Sequence, residues 1–265
     1  MRAKPQTFPF TVQQPFPGEI RWRFVMELNE DAFMMLSTGD ADAQIRVLEP
    51  YLNVECVRLS PPVQSRFVDS FRGRGPAIYK HSQVAVETYS IRTGALSQRI
   101  QHSLLKPQAP NTLLFALVTE AAFMGAKTKN PFSFKHHRLA ELSLKIDGDP
   151  IHYGAALKFD WNNHQYLEGY WELCRVMSLV NRDEGMEISR NQYDNDQFII
   201  AVDLTRLINP CDLSQSNDLS IELTFGAATT ETLRLLCYAT YAQEAHIGYD
   251  NEFDQGSQLL VKMLV

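Results

Sequence analysis

Few residues of this 265-residue chain are of types that could do chemistry, and they are scattered. His136 and His137 are adjacent, and His152 and His164 follow. Imidazoles ligate metals, and a metal-dependent enzyme would need His136, His152 or His164 to converge with a carboxylate. Neighbouring residues on a strand point to opposite faces, so His136 and His137 could share one ion only on an irregular backbone. The H-x-H spacing followed by a carboxylate, as in barrel metal sites, does not occur, and the pair is read as loop packing. Asp183-Glu184, just before Gly185, could work as acid and base. Arg182, Arg190 and Asp194 lie close by in sequence, which suits a salt-bridged surface turn instead. Tyr166, Tyr170 and Trp171 could form a platform for a sugar or a protein, although Tyr170 and Trp171 sit at helical core spacing. No G-x-S-x-G, P-loop or G-x-G-x-x-G motif occurs. The chain is read as a non-enzyme with no catalytic residue, no cofactor and no metal ligand.

These residues must be positioned by an ordinary globular fold. The chain is 45% hydrophobic and 21% charged, and at this length it can bury about 70% of its unfolded surface without staples. A net charge of −6 argues against free nucleic acid as a partner. Arg66, Arg72 and Arg74 are read as part of a solvated linker. Cys56, Cys174, Cys211 and Cys237 have no C-x-x-C spacing and are read as structural thiols. There is no apolar signal core, no N-x-S/T acceptor and no apolar run of the roughly eighteen residues a membrane helix needs. The expectation is an intracellular, unsecreted protein.

The clearest strand lies in residues 127–150, where Leu142, Leu144 and Ile146 alternate with Ser143, Lys145 and Asp147 before an Asp147-Gly148-Asp149-Pro150 turn that Pro150 should close. Similar alternation predicts strands at 20–28, 45–48, 52–59, 84–91, 197–203, 219–225 and 233–239. The continuous apolar run 113–118 predicts a strand buried on both faces. Helical spacing predicts helices at 63–71 and 164–180, the second capped by Asn162 or Asn163. Residues 93–110 and 181–196 read as polar loops, and 244–265 as an acidic then apolar tail. Pro5, Pro9, Pro15 and Pro17 make the first nineteen residues an extended arm. The domain boundary falls at Gly73-Arg74-Gly75-Pro76. The strand-rich part after it fits an antiparallel β-sandwich with one inserted helix.

Three stretches resemble the double jelly-roll major capsid proteins of Maverick/Polinton and adintovirus-like elements. Residues 129–151, KNPFSFKHHRLAELSLKIDGDPI, are similar to an N-P-[FY]-x-F-x-H block leading into a strand and turn. Residues 182–205, RDEGMEISRNQYDNDQFIIAVDLT, resemble a D-E-G…I-S-R-x-x-Y…F-D-L-T block, with Asp194-Asn195-Asp196 where the family has N-G. Residues 31–63 resemble a D-A-F…L…V-R-x-V-x-L-S-P stretch. The resemblance implies a virion structural protein whose subunits trimerise into pseudo-hexagonal capsomers and meet neighbouring capsomers, inside the host cell, with no small-molecule, specific nucleic-acid or membrane partner. It also implies that residues 1–62 are the last strands of a first jelly roll with a Pro-rich arm. Residues 63–75 would be a helical linker and 76–265 a second jelly roll with its tail. The family's early strands have no counterpart before Met1, as in a truncated remnant.

Under that expectation the strand 20–28 would expose an unpaired edge carrying Trp22 and Phe24 and make the product poorly soluble, unless the Pro-rich arm folds over that edge. Loops 93–110 and 181–196 would be contact regions. The competing reading is a β-sandwich module binding carbohydrate or protein. Exposure of Tyr166, Tyr170 and Trp171 would favour the module, and burial of their rings the capsid role.

Overall fold

A computed structural model of the chain describes residues 9–16, 20, 23–25, 27–37, 44–73, 76–102, 110–151, 156–180, 183, 185–207, 219–249 and 259–264. The strands are β1 (Ala77–Ile91), β2 (Ser97–His102), β3 (Thr112–Thr119), β4 (Leu139–Ile146), β5 (Asp149–Pro150), β6 (Leu157–Lys158), β7 (Ile199–Asp203), β8 (Leu219–Phe225), β9 (Leu233–Tyr249) and β10 (Leu259–Leu264). Helices α1 (Asp31–Met34), α2 (Pro61–Gly73), α3 (Glu120–Phe123), α4 (Leu167–Val176), α5 (Arg190–Asn195) and α6 (Leu204–Leu207) interrupt them.

The strands form two sheets. One has the order β1-β9-β3-β7, with β10 also on β9; the other has the order β2-β8-β4-β5, with β6 also on β4. This is the strand order of an antiparallel jelly-roll β-sandwich. Alternation explains the core: Leu113, Phe115 and Leu117 of β3 and Leu235, Cys237 and Ala239 of β9 face Leu142 and Leu144 of β4 and Ile221 and Leu223 of β8, all buried in one cluster. Each such leucine contributes roughly 1.5–3 kcal/mol by leaving water. Across β4 and β8, Lys145 Nζ lies 2.6 Å from Glu222 Oε2, and Arg99 of β2 reaches the other oxygen of the same carboxylate at 3.6 Å.

The chain divides into two compact units, residues 29–45 with 84–241 and residues 1–28 with 46–83 and 242–265. The first holds the sandwich core. The second has a small core of its own, in which Tyr79, Ala245 and Ile247 are buried with Val12, Phe16 and Phe67 against them. Phe16 stacks on Tyr79 at 4.6 Å, and the Tyr79 hydroxyl donates to the Pro15 carbonyl. Residues 12–16 of the Pro-rich arm are thus anchored there.

Strands 84–91, 197–203 and 219–225 and both long helices form close to where the pattern predicts them. Other expectations are corrected. Residues 23–25, 27–28 and 44–60 carry no strand, because alternation creates a face whereas a strand also needs a hydrogen-bonded neighbour. Phe24 is 48% exposed and lies 4.9 Å from the Phe10 ring; Trp22 lies outside the described residues. The region 93–110 contains β2, and 181–196 contains α5. The β3 run is buried mainly on one face, with Leu114 and Ala116 half-buried. Pro150 does not end the strand pattern. Asp147 and Gly148, at φ +50° and +95°, make a tight hairpin that lays β5 against β4, at a sheet end where a missing N–H is harmless. Pro61 and Pro62 open α2 instead of breaking the chain, since the first helical turn needs no N–H from them. In the tail, β10 pairs with the end of β9.

Candidate functional site

His136, His137, His164 and the selected aromatics lie near one end of the sandwich, where the connections after β1, β3, β6 and β8 meet. Gly94 N–H donates to the Thr229 carbonyl at 2.8 Å, Glu120 N–H to Thr232 and Gly226 N–H to Arg138. Arg234 grips Glu120 through both carboxylate oxygens, at 2.6 and 2.8 Å, and lies over the Phe123 ring. The guanidinium's hydrogen bonds hold the Glu120 carboxyl below its usual pKa. Lys129 pairs with Glu231 at 3.1 Å.

The aromatic cluster here is built by short local devices. The Asp160 carboxylate accepts hydrogen bonds from the Asn162 and Asn163 N–H groups and from Asn163 Nδ2 at 2.7 Å, which lowers its pKa. Asn162 and Asn163 therefore serve this turn and not the cap of α4, whose N-cap is Tyr166 without a side-chain bond. The turn presents Trp161, whose indole N–H donates to the Leu139 carbonyl at 2.6 Å. His136 stacks on Trp161 with centroids 3.8 Å apart, Phe159 and Tyr166 stack at 5.5 and 5.7 Å, and Phe198 meets the indole edge-on at 5.1 Å. A capping box between Ser189 and Gln192 starts α5 and drives Tyr193 into the base of the cluster. Tyr193 is fully buried, and its hydroxyl meets no hydrogen-bond partner among the described residues. Burial raises its pKa.

His137 and Arg138 both have positive φ, so the backbone is irregular at the histidine pair. The two rings nevertheless do not share a metal-binding geometry. His136 is stacked on Trp161, and its Nδ1 accepts the Arg138 N–H at 3.0 Å. Burial lowers its pKa to about 4, against the opposing pull of Asp194, and it is neutral at pH 7. Burial also lowers the pKa of His137. His164 Nδ1 faces Asp194 Oδ2 at 3.4 Å. Among the described residues no group of three or more His, Cys, Asp and Glu is placed to hold a metal ion. His152, Glu184, Arg74 and Cys211 lie outside the described residues, as does the Arg72 side chain. Asp183 and Arg66 are exposed.

The three aromatic platform candidates are split. Tyr166 is buried, Tyr170 is half-buried with its hydroxyl donating to the Ile188 carbonyl, and Trp171 is 57% exposed. They do not form a continuous exposed platform. Beside the cluster lies a wide, shallow polar depression lined by Ser133, Lys135, Asn191, Gln192, Asn195 and Asp196. The thiol of buried Cys237 is pushed up to about 12 by its surroundings, Cys174 is half-buried and Cys56 exposed. The arrangement locks the loop end through stacked rings and buried neutral groups. The sequence reading missed Trp161, Tyr193 and Phe198; the available signal was the Asp160-Trp161-Asn162-Asn163 turn and the Ser189–Gln192 capping box.

No protein-family model matches the chain, and no curated sequence matches it significantly. Solved structures align with it at low similarity. The crystal structure of PBCV-1 VP54 fitted into a cryo-EM reconstruction of the virophage Sputnik covers 76% of this chain at 12% identity with TM-score 0.44. The mavirus major capsid protein covers 71% at 10% identity with TM-score 0.39. A quasi-atomic model of the PBCV-1 virus capsid covers 70% at 11% identity with TM-score 0.35. The alignments span 54%, 41% and 51% of those chains, so this chain matches about half of each or less. No helix among the described residues is long and apolar enough to cross a membrane.

Proposed function

We propose that this chain is a capsid-type structural protein whose work is self-association into trimeric pseudo-hexagonal capsomers of a virion. The observation that carries the reading is the pair of interleaved sheets, β1-β9-β3-β7 over β2-β8-β4-β5, a complete jelly roll. A jelly roll alone serves many functions. The three sequence blocks narrow the choice, and two of them lie in the parts of the sandwich that build the aromatic loop end: 129–151 holds His136 and β4, and 182–205 holds α5 and β7. In this reading residues 76–265 are one jelly roll with its tail, and 1–62 belong to another, joined through the helical linker 63–75. The protein works without a cofactor, by surface complementarity with copies of itself and neighbouring capsomers. Its Maverick/Polinton affinity and its place in the virion or host-cell interior belong to the same proposal. Of the three rings that separate it from a carbohydrate- or protein-binding module, Tyr166 is buried, Tyr170 half-buried and Trp171 exposed, so they divide between the two readings.

The test is the mass of the purified chain by light scattering across a concentration series, with electron microscopy of the largest species. A trimer or larger closed assembly is expected. A clean monomer at every concentration overturns the reading.

A further inference from the structure

One short turn ties several parts of the loop end together. His137 and Arg138, at φ +45° and +57°, are two successive left-handed residues with side chains, a conformation that costs free energy and needs support. The support is local: the Arg138 N–H donates to His136 Nδ1 at 3.0 Å and the Leu139 N–H to the His136 carbonyl at 2.8 Å. The Arg138 carbonyl in turn accepts the Gly226 N–H from beyond β8, and the Leu139 carbonyl accepts the Trp161 indole N–H. Just upstream, the Phe134 N–H donates to the Asp196 carbonyl at 2.7 Å, and its own carbonyl accepts the Phe198 N–H at 2.8 Å. Connections far apart in sequence therefore depend on residues 134–139 keeping their shape.

Two features make that shape sensitive to protons. His136 uses Nδ1 as an acceptor, so a ring protonated there turns an N–H toward the Arg138 N–H and loses the bond. His137 Nε2 is buried and meets no hydrogen-bond partner among the described residues, so it gains one when the turn opens to water. The surrounding charges are mixed. Asp194 of α5 and the face of Trp161 favour a charged His136, whereas His137 and Arg138 on its own turn oppose it, and Phe198 is uncharged. Asp194 is shared with His164, 3.4 Å away on the turn that carries Trp161. Glu231 favours a charged His137 but is paired with Lys129, and Lys135 opposes it. Burial outweighs both carboxylates and holds both imidazoles below their usual pKa.

We infer that the His136–Arg138 turn is an acid-released latch: proton uptake by His136 and His137 opens it and frees the loop end, while the strands of the sandwich stay paired. The two rings are neutral in the closed turn and take up protons readily only in water, so each proton bound draws the turn open. The core between the sheets is insulated from this, because Leu113, Phe115, Leu142, Leu144, Ile221 and Leu223 fill it with side chains that do not titrate. The latch lies within one loop end of one chain and does not depend on self-association.

The test is hydrogen exchange in the full chain, followed by NMR and expressed as protection over the intrinsic rate at each pH. From about pH 6 to about pH 4.5, protection of the Arg138 and Gly226 amides and the Trp161 indole N–H should fall about tenfold or more, as net proton uptake on opening requires. The Phe115, Ile221 and Cys237 amides, inside the sheets, should change by less than about twofold. The double variant His136→Phe/His137→Phe removes both titrations and should make loop-end protection independent of pH, whatever its level. Should that variant not fold, His136→Asn keeps an acceptor for the Arg138 N–H, removes one titration and should lower the slope. Loop-end protection that does not fall with acid in the wild type overturns the latch. So does a fall shared equally by the core amides, which is global unfolding. A variant with the wild-type slope overturns it as well and assigns the protons to carboxylates such as Asp194 or Glu231.

Discussion

Residues 142–146 and residues 52–56 carry nearly the same alternation of apolar and polar side chains. Leu142 and Leu144 are 2% exposed, in a strand bonded on one side to β8 and on the other to β5 and β6. Leu52 and Val54 are 45% and 66% exposed, in a segment that belongs to no strand. Composition does not separate them. What separates them is the neighbour: β8 offers matching backbone groups in register with Leu142, Leu144 and Ile146, and a second sheet closes over their apolar face. An alternating stretch is a strand only when both the ladder and the facing layer are supplied.

The sharpest way to test that contrast is to make the same truncation in both places. Leu144→Ala should cost roughly 2–5 kcal/mol in urea denaturation, through lost transfer energy and the cavity left behind. Val54→Ala in the unassembled chain should change stability by less than about 0.5 kcal/mol. Equal effects would mean that 52–56 is packed in solution.

The packed region should also respond to acid through His136. Its folded pKa is about 4 against an ordinary 6.5, so between those values the unfolded chain takes up a proton that the folded chain refuses. The wild type is therefore fully stable with respect to this group above pH 6.5 and loses stability as pH falls toward 4. His136→Phe keeps a ring against Trp161 and removes the titration. The stability difference between variant and wild type should grow from pH 7 to pH 4, by less than the roughly 3 kcal/mol a fully buried ring would give, because solvent screens the partly exposed imidazole. Parallel pH profiles would rule out the buried, neutral imidazole.

A smaller contrast lies between two glycines. A Cβ at Gly169 would meet Phe159 Cε1 at 2.6 Å and the Tyr193 hydroxyl at 2.8 Å, whereas one at Gly185 meets nothing within 4 Å. Gly169→Ala should destabilise by about 1–3 kcal/mol despite alanine's better helix propensity, and Gly185→Ala should be near neutral. A stabilised Gly169→Ala chain would show that the aromatic cluster has room to relax.

Much of the sandwich was legible because burial on one face writes itself into the chain at a period of two. The β8 alternation of Leu219, Ile221, Leu223 and Phe225 is read directly, as is the helical pattern of Val63, Phe67 and Val68 in α2. β2 was not legible, since among the described side chains of SQRIQH only Ile100 reaches the core and the rest of its pairing comes from backbone bonds to β8. The loop end was legible only as isolated candidates. His136, Phe159, Trp161, Tyr193 and Phe198 are spread over more than sixty positions, and no local pattern predicts that five rings will meet.

The amino-acid sequence by itself determined which residues want to leave water, where turns such as Asp147-Gly148 reverse the chain and where Ser189 and Gln192 start a helix. These are local preferences of side chain and backbone, carried by every stretch whatever its surroundings. Only the tertiary structure decided which alternating stretches became strands, which sheet each joined and that His136 would sit neutral on Trp161. Ladder hydrogen bonds, facing layers and ring stacks need partners from distant positions, and their free energy exists only once those partners have met.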